Sequence, residues 1–268
     1  MSVQKKSHTV KPKKALGQHF LKDVGIAQRI AATLDEYMSM PVLEIGPGMG
    51  MLTRPLLDKG HNLTVVELDV ESVAYLSVHF PELNGRILGE DFLKCDLSTL
   101  FPDKFCVIGN YPYNISSQIF FKVLDYKDRI PCCSGMIQKE VAERLASPPG
   151  SKAYGILSVL LQAWYDVEYL FTVSEHVFDP PPKVKSAVIR MTRNNVTSLG
   201  CDEVLFKRVV KTAFNQRRKT LRNSLRSLVG EHAAEMTDDV FNRRPEQLSV
   251  AEFIELTKRI DEMLQPKK

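Results

Sequence analysis

The residues best placed to do chemistry are an asparagine, a proline and a tyrosine that follow the apolar run 105–109. The segment is Asn110-Tyr111-Pro112-Tyr113. Adenine's NH2 is a poor nucleophile because its lone pair is delocalised, but two N–H acceptors would direct that lone pair. Asn110 Oδ1 and the carbonyl before Pro112 can be those acceptors, because proline restricts the preceding residue. Tyr113 offers a face for stacking a base. The pattern indicates amine methylation, although a plain turn also favours these residues.

A glycine turn and two acids indicate a nucleoside cofactor. Gly46, Gly48 and Gly50 follow an apolar run with the spacing GxGxG, which lets the backbone approach a ligand closely. The dinucleotide form GxGxxG would need a glycine at position 51, so a pyrophosphate cofactor is disfavoured. Glu67 lies 21 residues after Gly46, where it can accept both ribose hydroxyls. Asp91 is the candidate acceptor for the adenine amine of that cofactor.

Apolar runs that alternate with amphipathic segments predict a parallel α/β sheet. The strands are predicted near Val42–Gly46, Leu63–Asp69, Arg86–Asp91, Phe105–Asn110, Gly135–Lys139, Asp166–Val173 and Ser186–Arg193, the last two as a terminal hairpin. The helices are predicted near Thr53–Lys59, Val70–His79, Ser117–Leu124 and Tyr154–Trp164, after a first helix capped by Asp23. The fold class is a Rossmann-like, mostly parallel sheet with an antiparallel last strand. Four of its strand ends would bring Gly46, Glu67, Asp91 and Asn110 to one edge.

The charge is unevenly distributed although the net charge is only +4. Residues 1–14 are lysine-rich and aperiodic, which predicts a disordered arm. Residues 15–195 are predicted to form the catalytic domain, and 200–268 a small all-α domain. Residues 207–230 carry eight basic side chains and no acid, which is typical of a polyanion-binding surface. Arg218, Arg222 and Arg226 recur every four residues on one predicted helix face, and a solvated charged face is the alternative.

Several classes of protein are disfavoured by composition. No apolar run approaches the ~20 residues that span a bilayer, and the amino terminus has no apolar signal region. The five cysteines are odd in number and have no metal-ligand spacing, which predicts reduced thiols in a cytoplasmic protein and no metal site. We therefore expect no membrane partner.

Longer motifs make the chain resemble a specific family. The motifs are 13–21 (KKALGQHFL), 44–50 (EIGPGMG), 110–116 (NYPYNIS), 138–144 (QKEVAER), 177–188 (VFDPPPKVKSAV) and 214–221 (FNQRRKTL). The glycine loop and acids resemble class I S-adenosylmethionine-dependent methyltransferases. The full set is similar to the ribosomal RNA adenine N6-dimethyltransferases, specifically the small-subunit (16S) branch.

The resemblance implies that two adjacent adenines near the 3′ end of small-subunit rRNA each receive two methyl groups, on a late assembly intermediate of the subunit. S-adenosylmethionine is then the donor and S-adenosylhomocysteine the product. The implied cofactor contacts are His19, Leu21, Gly46, Gly48, Glu67, Asp91 and Asn110. Tyr113 and Phe178 would sandwich the flipped adenine. The implied RNA contacts include Arg217, Arg218, Lys219 and Arg222, and we expect a monomer.

Two positions depart from the family pattern, and other functions stay open. His19 stands where the family has asparagine, which can change the pH response of that contact. Tyr111 replaces leucine; only its backbone concerns the amine, but its bulk can alter the pocket rim. The alternatives are a large-subunit rRNA dimethylase of the antibiotic-resistance type, a methyltransferase of protein glutamine, and a ribosome-assembly factor whose methylation is secondary.

Overall fold

The apolar run that precedes the glycine turn forms an inner strand of a seven-stranded sheet. The structure is a computed structural model that describes residues 10–13 and 16–265. Its strands are β1 (Phe20–Leu21), β2 (Val42–Ile45), β3 (Leu63–Val66), β4 (Ile87–Leu88), β5 (Cys106–Asn110), β6 (Cys132–Gln138), β7 (Tyr165–Val173), β8 (Phe178–Asp179) and β9 (Ser186–Arg193). The sheet order is β4-β3-β2-β5-β6-β9-β7, parallel from β4 to β6, with β9 antiparallel to β6. The predicted fold class is confirmed.

The observed strand bounds differ from the predicted ones by up to three residues, in inner strands as well as at the sheet edge. Strand β6 begins at Cys132 rather than Gly135, and β3 ends at Val66 rather than Asp69. The strand predicted at Ser186–Arg193 has those bounds in the structure, whereas the strand predicted at Arg86–Asp91 is only Ile87–Leu88. That strand pairs with β3 through two residues, so it ends where its only neighbour ends. Asp91 therefore lies in the loop three residues beyond the end of the strand, whereas the sequence predicts it at the strand end.

The helices alternate with the strands as the pattern predicts. They are α1 (Val24–Ala31), α2 (Thr53–Asp58), α3 (Val70–His79), α4 (Leu97–Leu100), α5 (Ser116–Asp125), α6 (Lys139–Ala146), α7 (Ile156–Gln162), α8 (Glu203–Asn215), α9 (Leu221–Ser224), α10 (Arg226–Val229) and α11 (Val250–Leu264). Short 3-10 helices occur at Ala32–Tyr37, Pro81–Leu83, Glu175–Val177, Gly230–Glu235, Asp239–Asn242 and Pro245–Gln247. The predicted cap is confirmed, because Asp23 accepts a hydrogen bond from the Ile26 N–H at 2.9 Å.

A second, two-stranded sheet was not predicted from the sequence. β1 pairs antiparallel with β8, with Phe20 opposite Asp179 and Leu21 opposite Phe178. Each strand has two residues, which is too short for a periodic signal. This pairing holds the segment around His19 against the segment that follows Val177.

The chain divides into two compact units, residues 1–142 with 168–192, and residues 143–167 with 193–268. This division differs from the expected domains, because residues 143–167 group with the carboxy-terminal helices. Helix α7 supplies the reason, since it packs on α8 and α11. In the same unit, Phe214 lies between Tyr154 and Phe253, with ring centroids 6.2 and 5.9 Å apart.

The continuous helix face predicted for the arginines is wrong. α8 ends at Asn215 and the chain re-enters a helix only at Leu221, where the Leu221 N–H donates to Arg243 O at 2.8 Å. Arg218 therefore lies in the intervening turn, Arg222 on α9 and Arg226 on α10. The predicted apolar stripe is correct, since Leu221, Leu225 and Leu228 are all buried.

Most of the predicted amino-terminal arm lies outside the described residues. Of the part that is described, Val10 is buried and Lys13 forms an ion pair with Asp69, so residues 10–13 differ from the expected disorder. Within 10–13 and 16–265, no helix has the length and apolarity needed to cross a membrane.

Candidate active site

A cleft at the carboxyl edge of the sheet brings together residues from distant parts of the sequence. Its lining includes most of the predicted cofactor residues, namely His19, Gly46, Gly48, Glu67, Asp91 and Asn110, together with Tyr113. A neighbouring cleft shares Phe20, Gly46 and Asn110 with it and adds Leu21. This is the edge where ligands of open α/β sheets bind. Across the described parts of the chain, no group of three or more His, Cys, Asp or Glu is placed to hold a metal ion.

Glu67 is a buried carboxylate fixed by two backbone donors. Its Oε2 accepts the Gly48 N–H at 3.0 Å and its Oε1 accepts the Asp69 N–H at 2.8 Å. Burial raises the pKa of this carboxyl, while the backbone hydrogen bonds act in the opposite direction. Each carboxylate oxygen can accept a further bond, so Glu67 retains acceptor capacity toward the cleft.

The glycine turn is packed so closely that a side chain does not fit at its centre. Gly48 has a φ of +55°, and a Cβ there would lie 2.8 Å from the Phe20 ring. Phe20 belongs to β1, so the turn is covered by the amino-terminal segment. The close approach of the amino-terminal segment to the turn explains why position 48 requires a glycine. The backbone of Gly48 lines the cleft.

Asn110, at the end of β5, has its carboxamide held in one orientation. Its Nδ2 donates to the backbone oxygen of His19 at 3.1 Å. A carbonyl oxygen can only accept, so the amide nitrogen must face His19 and Oδ1 must face away from it. Oδ1 is therefore the Asn110 atom left to accept an N–H from a substrate amine.

Asp91 lies in the loop after β4 and lines the same cleft. Its Oδ1 accepts the Leu93 N–H at 3.0 Å, which orients the side chain, while Oδ2 is 4.0 Å from Lys94 Nζ. Although Asp91 lies in a loop rather than at the end of a strand, it still lines the cleft, because the loop returns to the sheet edge.

Tyr113 presents a half-buried ring at the cleft. Its hydroxyl hydrogen-bonds with Ser186 Oγ, and burial raises its pKa. The His19 ring stacks on it with centroids 5.4 Å apart and 28° between the planes. His19 Nδ1 lies 2.8 Å from Pro180 O and therefore donates to it. The histidine departure thus places a second ring beside the tyrosine.

Phe178 lies close by in the fold but is covered. Its side chain is only 1% exposed, packed in the core that also contains Leu21, and it is absent from the lining of either cleft. Sequence analysis placed this ring on the substrate base. In the structure neither ring face is open to a base, because the β1–β8 pairing buries Phe178.

The predicted RNA-binding residues lie in the unit that holds the carboxy-terminal helices. Arg218 and Lys219 are exposed. Arg217 donates to Ser151 O and Arg222 to Asn242 Oδ1, each at 3.2 Å. The last two side chains therefore also have structural partners within their own unit.

Two buried acids close to the cleft residues were not singled out from the sequence; Glu44 lines the neighbouring cleft, whereas Asp69 lines neither cleft. Asp69 is 3% exposed and accepts hydrogen bonds from Lys13, Gln18 and Ser72, which attaches the amino-terminal segment to the start of α3. Glu44 on β2 is 1% exposed, accepts from Thr53 Oγ1 at 2.8 Å, and has its pKa raised to about 8 by burial. A single acid gives little sequence signal for a functional role. The motifs 13–21 and 44–50 nevertheless include Lys13, the partner of Asp69, and Glu44 itself.

Comparisons with known proteins agree with this geometry. The ribosomal RNA adenine dimethylase family profile matches residues 9–262. A ribosomal RNA small subunit methyltransferase A of Parabacteroides distasonis is 75% identical over 248 residues, which are 92% of this chain and 93% of the relative. A crystal structure of a dimethyladenosine transferase from Plasmodium falciparum has a TM-score of 0.76 at 23% identity, covering 91% of this chain and 98% of that one.

A crystal structure of a 23S rRNA methyltransferase is also similar, with a TM-score of 0.64 at 27% identity over 90% of this chain and 99% of the other. The family profile spans nearly all of the sequence, including the cleft residues and the basic segment. From the motifs, the sheet topology and this match, we conclude that the chain belongs to the ribosomal RNA adenine dimethylase family.

Proposed function

We propose that this enzyme transfers methyl groups from S-adenosylmethionine to N6 of two adjacent adenines near the 3′ end of small-subunit rRNA. The main support for the proposal is the orientation of Asn110, whose Oδ1 faces away from His19. Asn110 ends β5 at the sheet edge, two residues before Pro112. A second acceptor, the carbonyl of Tyr111, lies two bonds from the proline ring. Together they form the pair of acceptors that an exocyclic amine needs.

The cofactor roles follow from what each residue retains. S-adenosylmethionine supplies the electrophilic methyl group when bound. The free lone pairs of Glu67 suit the two ribose hydroxyls, and Asp91 suits the adenine amine. Gly46 and Gly48 allow close approach of the backbone. His19 and Leu21 are assigned contacts from the segment that covers the glycine turn.

Transfer requires alignment more than proton abstraction. With two N–H bonds directed to Asn110 and to the Tyr111 carbonyl, the amine lone pair points along one line, and positioning supplies the rate. An alkylated adenine amine is acidic enough to lose its proton to water. No carboxylate is therefore assigned as a general base, and Glu67 serves the cofactor.

Base stacking is assigned to Tyr113. Its ring lines the cleft, and stacking on it offsets part of the few kcal/mol that flipping a base costs. Phe178 as the second wall of a sandwich requires its ring to leave the core when the base enters. Phe178→Leu tests this role, with loss of subunit affinity expected if the ring stacks.

The RNA partner is recognised by charge. Arg217, Arg218, Lys219 and Arg222 belong to an acid-free basic stretch and are assigned to phosphate contacts. An immature small subunit as the substrate, a monomeric enzyme and a cytoplasmic location complete the proposal. The free cysteines support a reducing compartment.

The test is transfer of labelled methyl groups to small subunits that lack the modification, with large subunits and naked rRNA in parallel. Label on two adjacent small-subunit adenines, two methyl groups each, supports the proposal. Label on large subunits alone would assign the chain to the other rRNA branch. Binding of donor and subunit without transfer would favour an assembly factor.

A further inference from the structure

Tyr111 lies beside the catalytic asparagine, but its side chain is directed into the sheet rather than to the pocket rim. It is 1% exposed, and its ring meets Phe120 of α5 edge to face at 5.7 Å. The ring lies against two glycines, so that a Cβ at Gly109 or Gly135 would come within 3.0 or 2.8 Å of it. A Cβ at Gly135 would also lie 2.2 Å from Gly109 O. The glycines on β5 and β6 therefore leave the space that this tyrosine fills.

Two hydrogen bonds attach residue 111 to the same neighbouring strand. Its backbone N–H donates to Met136 O at 3.0 Å, one residue beyond the last paired residue of β5. Its hydroxyl donates to Ser134 O at 2.6 Å and lies 3.3 Å from Cys133 Sγ. The backbone and the end of the side chain are thus held two residues apart on β6.

We propose that Tyr111 is a positioning residue for methyl transfer, which directs its own backbone carbonyl toward the target amine through its buried hydroxyl bond to Ser134. The inference rests on the proposed function, since that carbonyl is the second acceptor beside Asn110. The main-chain bond to Met136 and the side-chain bond to Ser134 together restrict φ at residue 111. Pro112 restricts ψ at the same residue. The direction of the carbonyl is then determined from both sides.

The step that this positioning serves is lone-pair alignment and not cofactor binding. Tyr111 is one of the residues that line the cleft, but it is only 1% exposed and its hydroxyl bonds to a carbonyl of β6, so removal of the hydroxyl should leave the surface of the cleft unchanged. A small rotation of the Tyr111 carbonyl would lengthen one of the two N–H bonds and misdirect the lone pair. Misplacement of about 1 Å costs up to about a hundredfold in rate.

The experiment compares Tyr111→Phe with the unaltered enzyme by single-turnover methyl transfer to small subunits lacking the modification, at saturating donor and subunit. The transfer rate should fall by about tenfold to a hundredfold. The dissociation constant for S-adenosylmethionine, measured by calorimetry, should stay within about twofold. Rates taken at 10 °C keep the comparison valid if the variant melts early.

A matched control separates positioning from stability. Phe105 precedes the other end of β5, is fully buried and stacks on Phe101 at 4.3 Å. Phe105→Leu should lower the melting temperature at least as much while leaving the transfer rate unchanged. A Tyr111→Phe rate within twofold of the unaltered enzyme overturns the inference alone. Failure of the unaltered enzyme to transfer at all would instead overturn the proposed function.

Discussion

The cleft and the basic segment solve two different problems. In the cleft, Glu67 and Asn110 are each held by hydrogen bonds to the backbone of another segment. In the basic segment, Arg218 and Lys219 are exposed side chains in a turn between helices. The first arrangement holds functional atoms in one orientation, whereas the second supplies exposed charge.

The difference follows from the physics of each task. Methyl transfer depends on the direction of a lone pair, so an error in one bond reduces the rate. Attraction to phosphates depends on the number of charges and on counterion release, so it tolerates mobile side chains. Substitutions in the cleft should therefore act on the rate, and substitutions in the basic segment on salt-dependent affinity.

Asn110→Ala should produce the largest effect. It removes the oxygen that accepts the amine N–H and the bond to His19 O, so the transfer rate should fall by about 10²–10³-fold, as for other preorganised side-chain amides. Affinity for S-adenosylmethionine should fall only a few-fold. Single-turnover transfer and calorimetry measure the two quantities.

Asn84→Ala provides the control for that variant, because Asn84 is an exposed asparagine after the 3-10 helix Pro81–Leu83. It should leave both quantities unchanged. Near-normal turnover by Asn110→Ala would contradict the amine-alignment argument and remove the main distinction between the two regions.

Glu44→Gln tests whether the buried carboxyl of Glu44 makes the stability of the protein depend on pH. The folded-state pKa of about 8 exceeds the ordinary value of 4.5, so the folded protein binds the extra proton between these pH values. The contribution of Glu44 to stability is present below about pH 4.5 and is lost as the pH rises through 8. The glutamine variant should be more stable by about 2 kcal/mol at pH 8, less than full linkage gives because the site relaxes on ionisation.

The measurement is urea unfolding without cofactor at pH 5 and pH 8. Thr53→Val is the companion variant, since it removes the hydroxyl that donates to Glu44. That loss should increase the pH dependence, because the hydroxyl bond favours the ionised carboxyl. An equal difference between Glu44→Gln and the unaltered protein at both pH values would show that the folded and unfolded states bind the Glu44 proton alike, so that burial does not raise the pKa of this carboxyl.

A double substitution, Arg218→Ala with Lys219→Ala, tests the basic segment. Removing two phosphate contacts should weaken binding to small subunits about tenfold and reduce the slope of log K against log salt by about 1.5. The transfer rate at saturating subunit should not change. Filter binding at several salt concentrations measures the slope.

The matched control is Lys258→Ala with Arg259→Ala on α11. These two cations are already paired with Glu255 and Asp238, so their removal should change the slope little. Equal slopes for both double variants would indicate a diffuse surface charge rather than a defined RNA contact.

The sequence predicts much of the regular structure of the unit that holds the cleft. Helix α3 and strand β9 have the bounds that their apolar patterns predict, and the Asp23 cap follows from a local preference. The convergence of Glu67 and Asn110 follows from parallel topology, because the ends of parallel strands share one edge.

What the sequence does not predict depends on long-range contacts. The β1–β8 pairing joins residues more than 150 positions apart through two residues each, and it buries Phe178. The Tyr111 ring could be placed only once the glycines of β5 and β6 were seen to be neighbours. The interruption of the helix at 216–220 gives no clear sequence signal, because the spacing of Arg218, Arg222 and Arg226 suits a continuous helix.

The smallest effect is expected at Lys13, whose partly exposed ammonium forms ion pairs that help to hold the segment lining the cleft. Its ammonium pairs with Asp69 and lies 3.1 Å from Glu71, which fastens the segment carrying His19 and Phe20 over the glycine turn. Lys13→Met should raise the dissociation constant for S-adenosylmethionine about threefold at low salt, as a partly exposed ion pair contributes little.

The difference should vanish near 0.5 M salt because screening weakens the pair in the unaltered protein too. Lys11→Met, which changes an exposed lysine two residues earlier, should have no effect at either salt concentration. If Lys13→Met binds the donor as tightly as the unaltered protein at low salt, the segment is held by the β1 pairing and by the hydrogen bonds of Gln18, His19 and Asn110. In that case the cleft would depend on hydrogen bonds and not on an ion pair, which would sharpen its contrast with the basic segment.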